Sequence, residues 1–468
     1  MGFLSLFAKT ARRILEAGGR MLVVGGAVRD RFLEKDNPRA AADLDLVVFG
    51  LSFERVLELL GRMGRPMVLK RGVFLDEPRF EPLIHFRSRG RILDVTLPAG
   101  EPRPFSPERL KEDARRRDFT LNALYMDPLS GEILDPLGGL EDVLNRRLVP
   151  ASEDLFERDP LRLLRAFSLI SRRSLTAHPD LLRLSRKHRD LLKLVSKDRF
   201  WPEWRSWAAS GDPHLGLGFL DESGLLSLFP ELMSLKEHQQ GWHFHPEGSV
   251  WNHTLLVVRE ISRLRLPERS GHSFDRGILV LAALTHDIGK NAATRVRDPE
   301  SGRIHYPGHA PAGVPLARSF LKSVMCPGRV SRPVLKLVRW HMEGAFSRLG
   351  TGDLRRLARD LAPEATLAEL WALKAADWNG RLYWPESYPH TLEDFLEPVG
   401  GSLKRPEDLI SGGEMKRLFG LEEGPELGRL KNLVREAHDQ EVVSTREEAL
   451  RLVSVHLRET GAGAREGV

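Results

Sequence analysis

The chain has 468 residues, of which 41% are hydrophobic and 29% are charged, which indicates a soluble globular protein of roughly three domains. No apolar run approaches the ~20 residues of a membrane-spanning helix, and the lone cysteine, Cys326, excludes an intrachain disulfide. We therefore expect a cytoplasmic protein without a membrane partner. The formal charge of +6 and the pI of about 9.4 are compatible with a polyanionic partner but do not require one.

The first 150 residues mix short apolar runs with turns, and this pattern predicts an α+β head with a mixed sheet. An amphipathic helix is expected within residues 1–19, a second helix at 53–63, and a loop at 98–107, where proline and glycine are frequent. The predicted strands cover residues 21–24, 44–49, 66–69, 83–86, 92–97 and 123–126.

The rest of the chain is predicted to be almost entirely helical from Asp154 onward. Within it we expect loops at 298–313, 381–391 and 411–413, and a frayed tail at 461–468. Breaks in the pattern divide the whole chain into four predicted regions, at residues 1–150, 151–240, 241–395 and 396–468.

A glycine turn followed by two aspartates is the most informative feature of the head. Gly25 and Gly26 follow a predicted strand and allow close approach of a ligand to the backbone, and Arg29 is expected near the start of the next helix. Asp43 and Asp45 share one face of the next strand, because side chains two positions apart point the same way. Such carboxylates suit Mg²⁺, which takes further ligands from substrate phosphates.

These residues, in the segments GGAVRD and DLDLVVFG, resemble the head of the class II tRNA nucleotidyltransferase and bacterial poly(A) polymerase family. The resemblance implies a polymerase-beta-like nucleotidyltransferase head followed by all-α neck and C-terminal regions. It also implies that Asp43 and Asp45 bind Mg²⁺ and are catalytic. In the family the 3′-hydroxyl of an RNA attacks the α-phosphorus of a nucleoside triphosphate, and pyrophosphate leaves.

Asp94 is a candidate third catalytic carboxylate. It lies on the predicted strand 92–97, where it could complete a metal site or accept the proton of an attacking hydroxyl. Asp94 and Thr96 match an acidic residue and a threonine of the family. Leu97 and Pro98 stand where the family often has an arginine soon after, and a solvated surface aspartate is the alternative interpretation.

The segment from Arg115 to Ala123, RRRDFTLNA, resembles the family motif that contacts the sugar and phosphates of the incoming nucleotide. Arginine side chains offer forked donors to a triphosphate. We therefore predict nucleotide binding by Arg117, Asp118 and Asn122, together with Gly26 and Arg29 of the turn.

Asp159, Arg162 and Arg165 match the family segment in which an aspartate and arginines read the edge of the incoming base. Asp159 is also expected to cap the first neck helix, with Pro160 at its first position. Two positions depart from the family, because Arg158 replaces the usual glutamate and Ser168 replaces a frequent arginine. Both departures leave the choice of base open.

The neck carries a local excess of positive charge. Between residues 158 and 199 there are twelve lysines or arginines and four aspartates or glutamates. Clustered cations of this kind supply the salt-dependent part of nucleic-acid affinity, although solvated helix faces would have the same composition. The predicted partner is tRNA or another RNA 3′ end.

A second set of histidines and aspartates lies in the segments HPEG from His245, WNHT from Trp251, HDIGK from His286 and ADWNGR from Ala376. These segments resemble the HD domain attached to many bacterial nucleotidyltransferases. Imidazole and carboxylate ligands together suit divalent transition metals, and the resemblance implies a phosphohydrolase that uses Ni²⁺, Co²⁺ or Mn²⁺. The implied metal ligands are His253, His286, Asp287 and Asp377, with His309 and His341 able to hold a second ion.

The sequence therefore predicts a template-independent enzyme that adds or repairs the 3′-terminal CCA of tRNA from CTP and ATP, with a phosphohydrolase domain. A poly(A) polymerase, or an enzyme adding only C or only A, is the alternative within the class. A phosphohydrolase with a non-catalytic RNA-binding head, and a non-catalytic RNA-binding protein, are the alternatives outside it. The oligomeric state stays open.

Overall fold

The computed structural model describes residues 2–33, 43–61, 67–72, 80–88, 91–241, 245–265, 274–300, 304–343, 350–382, 388, 391–392, 409–439 and 442–460. The chain forms two compact units, residues 1–233 with 322–325, and residues 234–321 with 326–468. The division into four regions stays a prediction. Within the described ranges, no helix is both long and apolar enough to cross a bilayer.

The first unit is built on a mixed seven-stranded sheet in the order β3-β4-β5-β2-β1-β6-β7. Strands β2 and β5 run parallel, and the other neighbouring pairs are antiparallel. The strands are β1 Arg20–Val24, β2 Asp43–Phe49, β3 Met67–Gly72, β4 Phe80–Ser88, β5 Arg91–Thr96, β6 Tyr125–Met126 and β7 Ile133–Leu134. These bounds confirm the predicted α+β head.

The first helices of this unit lie before and between the strands along the chain, and the later ones form the neck. They are α1 Gly2–Glu16, α2 Gly26–Leu33, α3 Phe53–Gly61, α4 Pro107–Arg116, α5 Gly139–Leu144, α6 Leu155–Arg158, α7 Arg162–Arg173, α8 Pro179–His188, α9 Phe200–Ala208, α10 Pro213–Glu222 and α11 Pro230–Met233. A parallel pair, β8 Arg147–Leu148 and β9 Thr176–Ala177, lies between α5 and α8.

The neck packs around an aromatic cluster. Phe167 of α7 stacks on Trp207 of α9 at 5.3 Å between ring centroids, and Trp204 contacts both rings. The buried Trp207 indole donates to the carbonyl oxygen of Pro213 at 2.8 Å. This hydrogen bond satisfies the one polar atom that burial of the ring would otherwise isolate, so α7, α9 and α10 are held in a fixed arrangement.

The described part of the second unit is almost entirely helical apart from a short hairpin, β10 Val296–Arg297 and β11 Ile304–His305. Its helices are α12 Val250–Arg263, α13 Arg276–Thr285, α14 His309–Ser323, α15 Gly328–Trp340, α16 Thr351–Leu361, α17 Leu367–Asn379, α18 Gly412–Phe419, α19 Pro425–Asp439 and α20 Arg446–Glu459. Helix α13 is apolar and buried through most of its length, as expected for the centre of a helical core.

Three local predictions were wrong. The expected loop at 298–313 contains strand β11 and the start of α14 at His309. The expected loop at 411–413 is the start of α18, where Ser411 and Glu414 form a capping box. Helix α7 begins at Arg162, so Asp159 does not cap it; its carboxylate accepts instead from the backbone N–H of Leu161 at 3.3 Å.

Two further predictions lie largely or wholly outside the described residues. Of the expected loop at 381–391, only residues 381, 382, 388 and 391 are described, and the expected tail at 461–468 is not described.

Candidate active sites

The glycine turn of the head approaches Asp45 closely. Gly25 follows β1 with a φ of +78°, a conformation that side chains other than glycine rarely adopt. A Cβ atom on Gly25 would lie 3.2 Å from Oδ2 of Asp45. Glycine is therefore required at this position on two grounds, the backbone conformation and the space in front of the carboxylate.

The sheet brings two of the three predicted catalytic aspartates together. Asp45 on β2 is paired in register with Asp94 on β5, and residues directly opposite on neighbouring strands share a face. Asp94 also faces His85 on β4, with 2.7 Å between its Oδ1 and Nδ1 of the histidine. Asp43 begins β2, two positions before Asp45, and its side chain lies outside the described part.

A hydrogen-bonded chain links the glycine turn to the neck. The buried Arg29 donates from Nη1 to Oδ1 of Asn122 at 2.6 Å and from Nε to Oδ1 of Asp30 at 2.7 Å. Asn122 donates to Asp118 at 2.9 Å, and Arg165 of α7 donates to the other oxygen of the same carboxylate at 3.2 Å. Four predicted nucleotide-binding residues therefore form one continuous network.

Asp118 is charged at neutral pH despite its burial. Burial alone would raise its pKa, but the positive charges of Arg165 and Arg162, with the hydrogen bonds from Asn122 and Arg165, outweigh it and lower the pKa below the usual value of 3.8. The network thus holds a buried negative charge between the head and the first neck helix.

The side chain of Arg117 is hydrogen-bonded to two neighbouring residues of the head. Its Nε donates to the Tyr125 hydroxyl at 3.0 Å and its Nη2 to Asp113 at 3.2 Å, while Tyr125 donates to Asp113 at 2.7 Å. Burial opposes the charged guanidinium, but Asp113, Tyr125 and Asp45 raise its pKa overall. Arg117 is thus a fixed positive charge in the field of Asp45.

The neck residues of the predicted base-reading segment are also held in place. Asp159 accepts from Arg199 at 3.2 Å, and Arg162 donates to the carbonyl oxygen of Arg116 at 2.8 Å. Ser168, at one of the two departures from the family, donates to Glu203 at 2.5 Å. Glu203 in turn lies 3.7 Å from Nε of Arg165.

The sheet, helix α4 and the neck contribute residues that the sequence prediction missed. His85, Asp113, Arg199 and Glu203 lie outside the motifs. His85, Arg199 and Glu203 contact motif residues only in the folded chain, over separations of 9 to 40 positions, so no local pattern pointed to them. Asp113 lies four positions before Arg117, and this i, i+4 spacing is a local signal that could have identified it.

The second unit brings all six predicted HD residues into one cluster. Within the described residues, His253, His286 and Asp377 form one group whose ligand atoms lie within 4.8 Å of one another, and Asp287, His309 and His341 form another. Asp287 lies between them, with Oδ2 at 3.3 Å from Nε2 of His286 and Oδ1 at 3.1 Å from Nε2 of His309.

Three of these histidines are oriented in the same way. Nδ1 of His286, His309 and His341 donates to the carbonyl oxygen three residues earlier, at 2.7 to 2.8 Å. Because the carbonyl can only accept, the proton of each neutral ring sits on Nδ1. Each Nε2 lone pair therefore points towards Asp287, and this orientation is typical of metal-ligating histidines.

The geometry of these lone pairs fits a bound cation. Nε2 of His309 and Nε2 of His341 are 3.1 Å apart, so two acceptors face each other beside a carboxylate. Nε2 of His286 is buried and has no hydrogen-bond partner among the described residues. Divalent ions, one at each of the two ligand groups, would satisfy these atoms, and carboxylate and imidazole ligands suit transition metals.

His253 is oriented by a carboxylate instead of a backbone carbonyl. Its Nε2 lies 2.9 Å from Asp377 and its Nδ1 2.8 Å from Glu247, a buried residue that also contacts His245 at 2.8 Å. Burial raises the pKa of Glu247, but hydrogen bonds with His245 and His253 outweigh this effect and lower it to about 2. The sequence prediction had no role for Glu247, although it lies only six positions before His253.

The HD cluster opens into a cavity of about 490 Å³. Asp287, His309 and Asp377 contribute to its wall, and so do the cations Lys290, Arg339 and Arg381. Lys290 itself donates to Asp287 and, at 2.6 Å, to Gln240. A cavity with carboxylates and imidazoles at its base and cations in its wall suits a phosphorylated ligand.

Comparisons with protein families match both units. The Poly A polymerase head domain family matches residues 21–149, and the HD domain family matches residues 250–378. The first match contains Asp45, Asp94 and the segment from Arg115 to Ala123, and the second contains all six residues of the HD cluster.

Named relatives are similar to most of the chain. A CC-adding tRNA nucleotidyltransferase of Thermus thermophilus is 34% identical over 446 residues, covering 91% of each chain. An A-adding tRNA nucleotidyltransferase of Deinococcus radiodurans is 30% identical over 367 residues, covering 76% of this chain and 81% of the relative.

Solved structures share the fold. A CCA-adding enzyme of Bacillus stearothermophilus in complex with CTP is 18% identical with a TM-score of 0.64, covering 97% of this chain and 98% of that one. A Thermotoga maritima CCA-adding enzyme complexed with tRNA is 16% identical with a TM-score of 0.60, covering 96% and 95%.

Proposed function

The chain belongs to the tRNA nucleotidyltransferase family with a poly(A) polymerase head and an HD domain, and on this premise we propose that it adds or repairs the 3′-terminal CCA of tRNA from CTP and ATP. The observation that carries the proposal is the network from Arg29 through Asn122 and Asp118 to Arg165, beside the paired Asp45 and Asp94.

The head residues divide into metal-binding and nucleotide-binding roles. Asp43 and Asp45 would hold Mg²⁺, with Asp94 placed to accept the proton of the attacking 3′-hydroxyl, and Gly25 leaves the space in front of Asp45 open. A bound Mg²⁺ supplies positive charge against the triphosphate and the departing pyrophosphate.

The arginines and the turn would orient the nucleotide. Gly26 and Arg29 would contact the phosphates, and the positive charge of Arg117, which Tyr125 and Asp113 hold in place, would offset the negative charge that develops there. Asp118 and Asn122 would contact the ribose. The base would be read by Asp159, Arg162 and Arg165, whose side chains are held by Arg199, the Arg116 carbonyl and Asp118.

The choice of nucleotides separates the candidates within the class. The relatives include both a CC-adding and an A-adding enzyme, so partial addition is the second candidate. The experiment offers labelled CTP or ATP to transcripts ending before CCA, after the first C and after CC. Full CCA addition predicts incorporation of both nucleotides on the appropriate transcripts. Incorporation of CTP alone or ATP alone would assign a partial activity, and long ATP tracts would assign poly(A) synthesis.

We also propose that the HD cluster hydrolyses phosphoesters, at 2′-phosphates or 2′,3′-cyclic phosphates. His253, His286, Asp287 and Asp377 would hold one divalent ion, and His309 and His341 would share Asp287 to hold a second. Bound ions activate water and offset charge on the phosphate, and Ni²⁺, Co²⁺ or Mn²⁺ fit the imidazole-rich donor set.

The protein's own groups support this chemistry. Lys290 fixes Asp287 in place, while Arg339 and Arg381 are positioned in the cavity wall to meet a phosphate. The test is release of product from 2′,3′-cyclic AMP with each metal. His286→Ala should abolish release, and product formation that survives the substitution would remove the cluster from the reaction.

A further inference from the structure

A second cavity adjoins the HD cluster along helix α15. It has a volume of about 400 Å³ and lies among α14, α15 and α16. Arg339 lines both this cavity and the one that contains Asp287 and His309. The two cavities therefore meet at a single arginine, at the C-terminal end of α15.

Helix α15 presents one face of cations towards this region. Arg329, Arg332, Lys336 and Arg339 fall within an arc of about 80° when the helix is viewed along its axis. The row extends over about 15 Å at 1.5 Å per residue. Arg318 of α14 lines the same cavity as the last three of these residues, which adds a cation from a second helix.

Most of these cations are not neutralised by the described carboxylates. Arg318, Arg332 and Arg339 are exposed, and none forms an ion pair with a described acidic residue. Lys336 is the exception, since it donates to the Asp360 carbonyl and lies 3.9 Å from Glu364. The cations of the cavity wall outnumber its two carboxylates, Asp360 and Glu364.

An aromatic ring completes the surface. The half-buried Trp340 lines the second cavity beside Arg339, whose guanidinium lies 4.6 Å from the ring centroid. Cations spaced along a groove with an aromatic side chain are the elements by which proteins bind single-stranded nucleic acid. A mononucleotide would need only the cations of the first cavity, so the row along α15 indicates a longer ligand.

We propose that the HD site acts on the end of an RNA strand whose preceding phosphates lie along the cationic face of α15. This inference rests on the proposed phosphohydrolase function and names its substrate class. The terminal 2′,3′-cyclic phosphate would enter the first cavity, where a water oxygen bonds to phosphorus and one ribose oxygen–phosphorus bond breaks. The proton of the water ends on the released ribose oxygen.

The test compares the full-length protein with 2′,3′-cyclic AMP and with an oligoribonucleotide ending in a 2′,3′-cyclic phosphate. The oligonucleotide should have the lower KM, and its log KM should rise with log salt concentration. Arg318→Gln/Arg332→Gln should raise its KM about tenfold at low salt, and flatten the salt slope by about 1.4. Hydrolysis of 2′,3′-cyclic AMP should be unchanged.

The control is Arg451→Gln, which removes an exposed arginine of α20 that lines neither cavity and should leave both substrates unaffected. Equal KM values for the two substrates, with no effect of the double variant, would overturn the inference and leave the phosphohydrolase function standing. Competition by polyglutamate as strong as that by unreactive RNA would also overturn it, because the surface would then accept any polyanion.

A second measurement separates failure of the inference from failure of the enzyme activity. If neither substrate is hydrolysed, the phosphohydrolase proposal is wrong. Photocrosslinking of a 4-thiouridine oligonucleotide then decides whether RNA lies on α15. Crosslinks to peptides of α15 that disappear in Arg318→Gln/Arg332→Gln support the surface as an RNA-binding site, and crosslinks confined to the first unit would overturn it.

Discussion

Buried charges at the two candidate sites are held by specific partners. Removing the charge of Asp118 should change the free energy of unfolding by an amount that depends on pH. Asp118→Asn should lower the free energy of unfolding by about 2 kcal/mol at pH 7, because a buried charge-assisted network is lost. The pKa of Asp118 is lowered on folding, so its stabilising contribution is complete above 3.8 and is lost as pH falls through the lowered value. The deficit of the variant should therefore shrink in acid.

Chemical denaturation of wild type and Asp118→Asn at a series of pH values checks this prediction. Asp142→Asn serves as a control, because Asp142 is also buried but contacts Thr120 and Arg147 outside the network. A deficit for Asp118→Asn that stays constant from pH 7 down to pH 3 would show that the charge of Asp118 does not stabilise the fold.

Glu247 should determine the metal affinity of the HD site through His253. Its carboxylate faces Nδ1 of His253 at 2.8 Å, and such partners of ligating histidines typically change metal affinity by about 10- to 100-fold when replaced. Glu247→Gln should therefore weaken Co²⁺ binding by about tenfold and change the Co²⁺ absorption spectrum, as measured by titration of the metal-free protein.

The matched control is Glu343→Gln, which alters a carboxylate in the wall of the HD cavity that lies 3.8 Å from Arg356 and outside the ligand groups. It should bind Co²⁺ like the wild type. Unchanged affinity and spectrum in Glu247→Gln would mean that Glu247 does not orient His253.

At the scale of single residues, the sequence predicted the candidates that belong to motifs. It missed residues outside the motifs that contact these candidates only in the folded chain. Asp45 was predicted from strand alternation, and its pairing with Asp94 follows from the parallel register of β2 and β5. The link from Arg29 to Asn122 spans 93 positions. Glu203, which contacts Ser168 and Arg165, lies on a different helix, and no periodicity encodes such contacts.

The close packing of α10 against α7 in the neck requires a glycine at position 216. A Cβ atom on Gly216 of α10 would lie 2.2 Å from the Ser171 hydroxyl and 2.8 Å from the Phe167 carbonyl oxygen of α7. Gly216→Ala should lower the free energy of unfolding by about 1 to 3 kcal/mol, because overpacking forces the two helices apart.

Gly218→Ala is the matched control in the same helix, since no atom lies within 4 Å of the added Cβ. It should be neutral or stabilising by up to about 1 kcal/mol, because alanine favours the helix more than glycine. Thermal unfolding of both variants checks the pair. Equal effects of the two substitutions would contradict the close packing of α7 against α10.

At the scale of elements, the strands of the head were predictable and some helix starts were not. Helix α14 begins at His309 although Pro311 follows closely, because a proline in the first turn lacks only an N–H that has no helical partner. Helix α18 could have been recognised from its Ser411-x-x-Glu414 capping box. At α7, the Pro160 signal placed the start two residues early.

For the whole molecule, the two candidate sites lie in separate compact units and should be separable by mutation. Asp45→Ala should abolish nucleotide addition and leave hydrolysis of 2′,3′-cyclic AMP intact, whereas His286→Ala should do the reverse. Both activities are measured on each purified variant. Loss of both activities from either single substitution would show that the two sites do not act independently.

At the scale of the whole chain, the change from a sheet-containing head to a helical remainder was predictable from the sequence. The change from short alternating runs to helical periodicity near Asp154 correctly predicted the end of the main sheet, since the seven-stranded sheet ends at Leu134. The clustering of six HD residues from five helices and their ends was implied only by the family resemblance, because their positions span 125 residues, from 253 to 377.

The most direct test of the central claim is single-turnover incorporation of labelled CTP and ATP into tRNA lacking its CCA end, with wild type and Asp45→Ala compared at saturating Mg²⁺. The account predicts a CCA-terminated product with the wild type and at least a 1,000-fold slower reaction with the variant, on the order of 4 kcal/mol of lost transition-state stabilisation. Incorporation by Asp45→Ala at the wild-type rate would contradict the account.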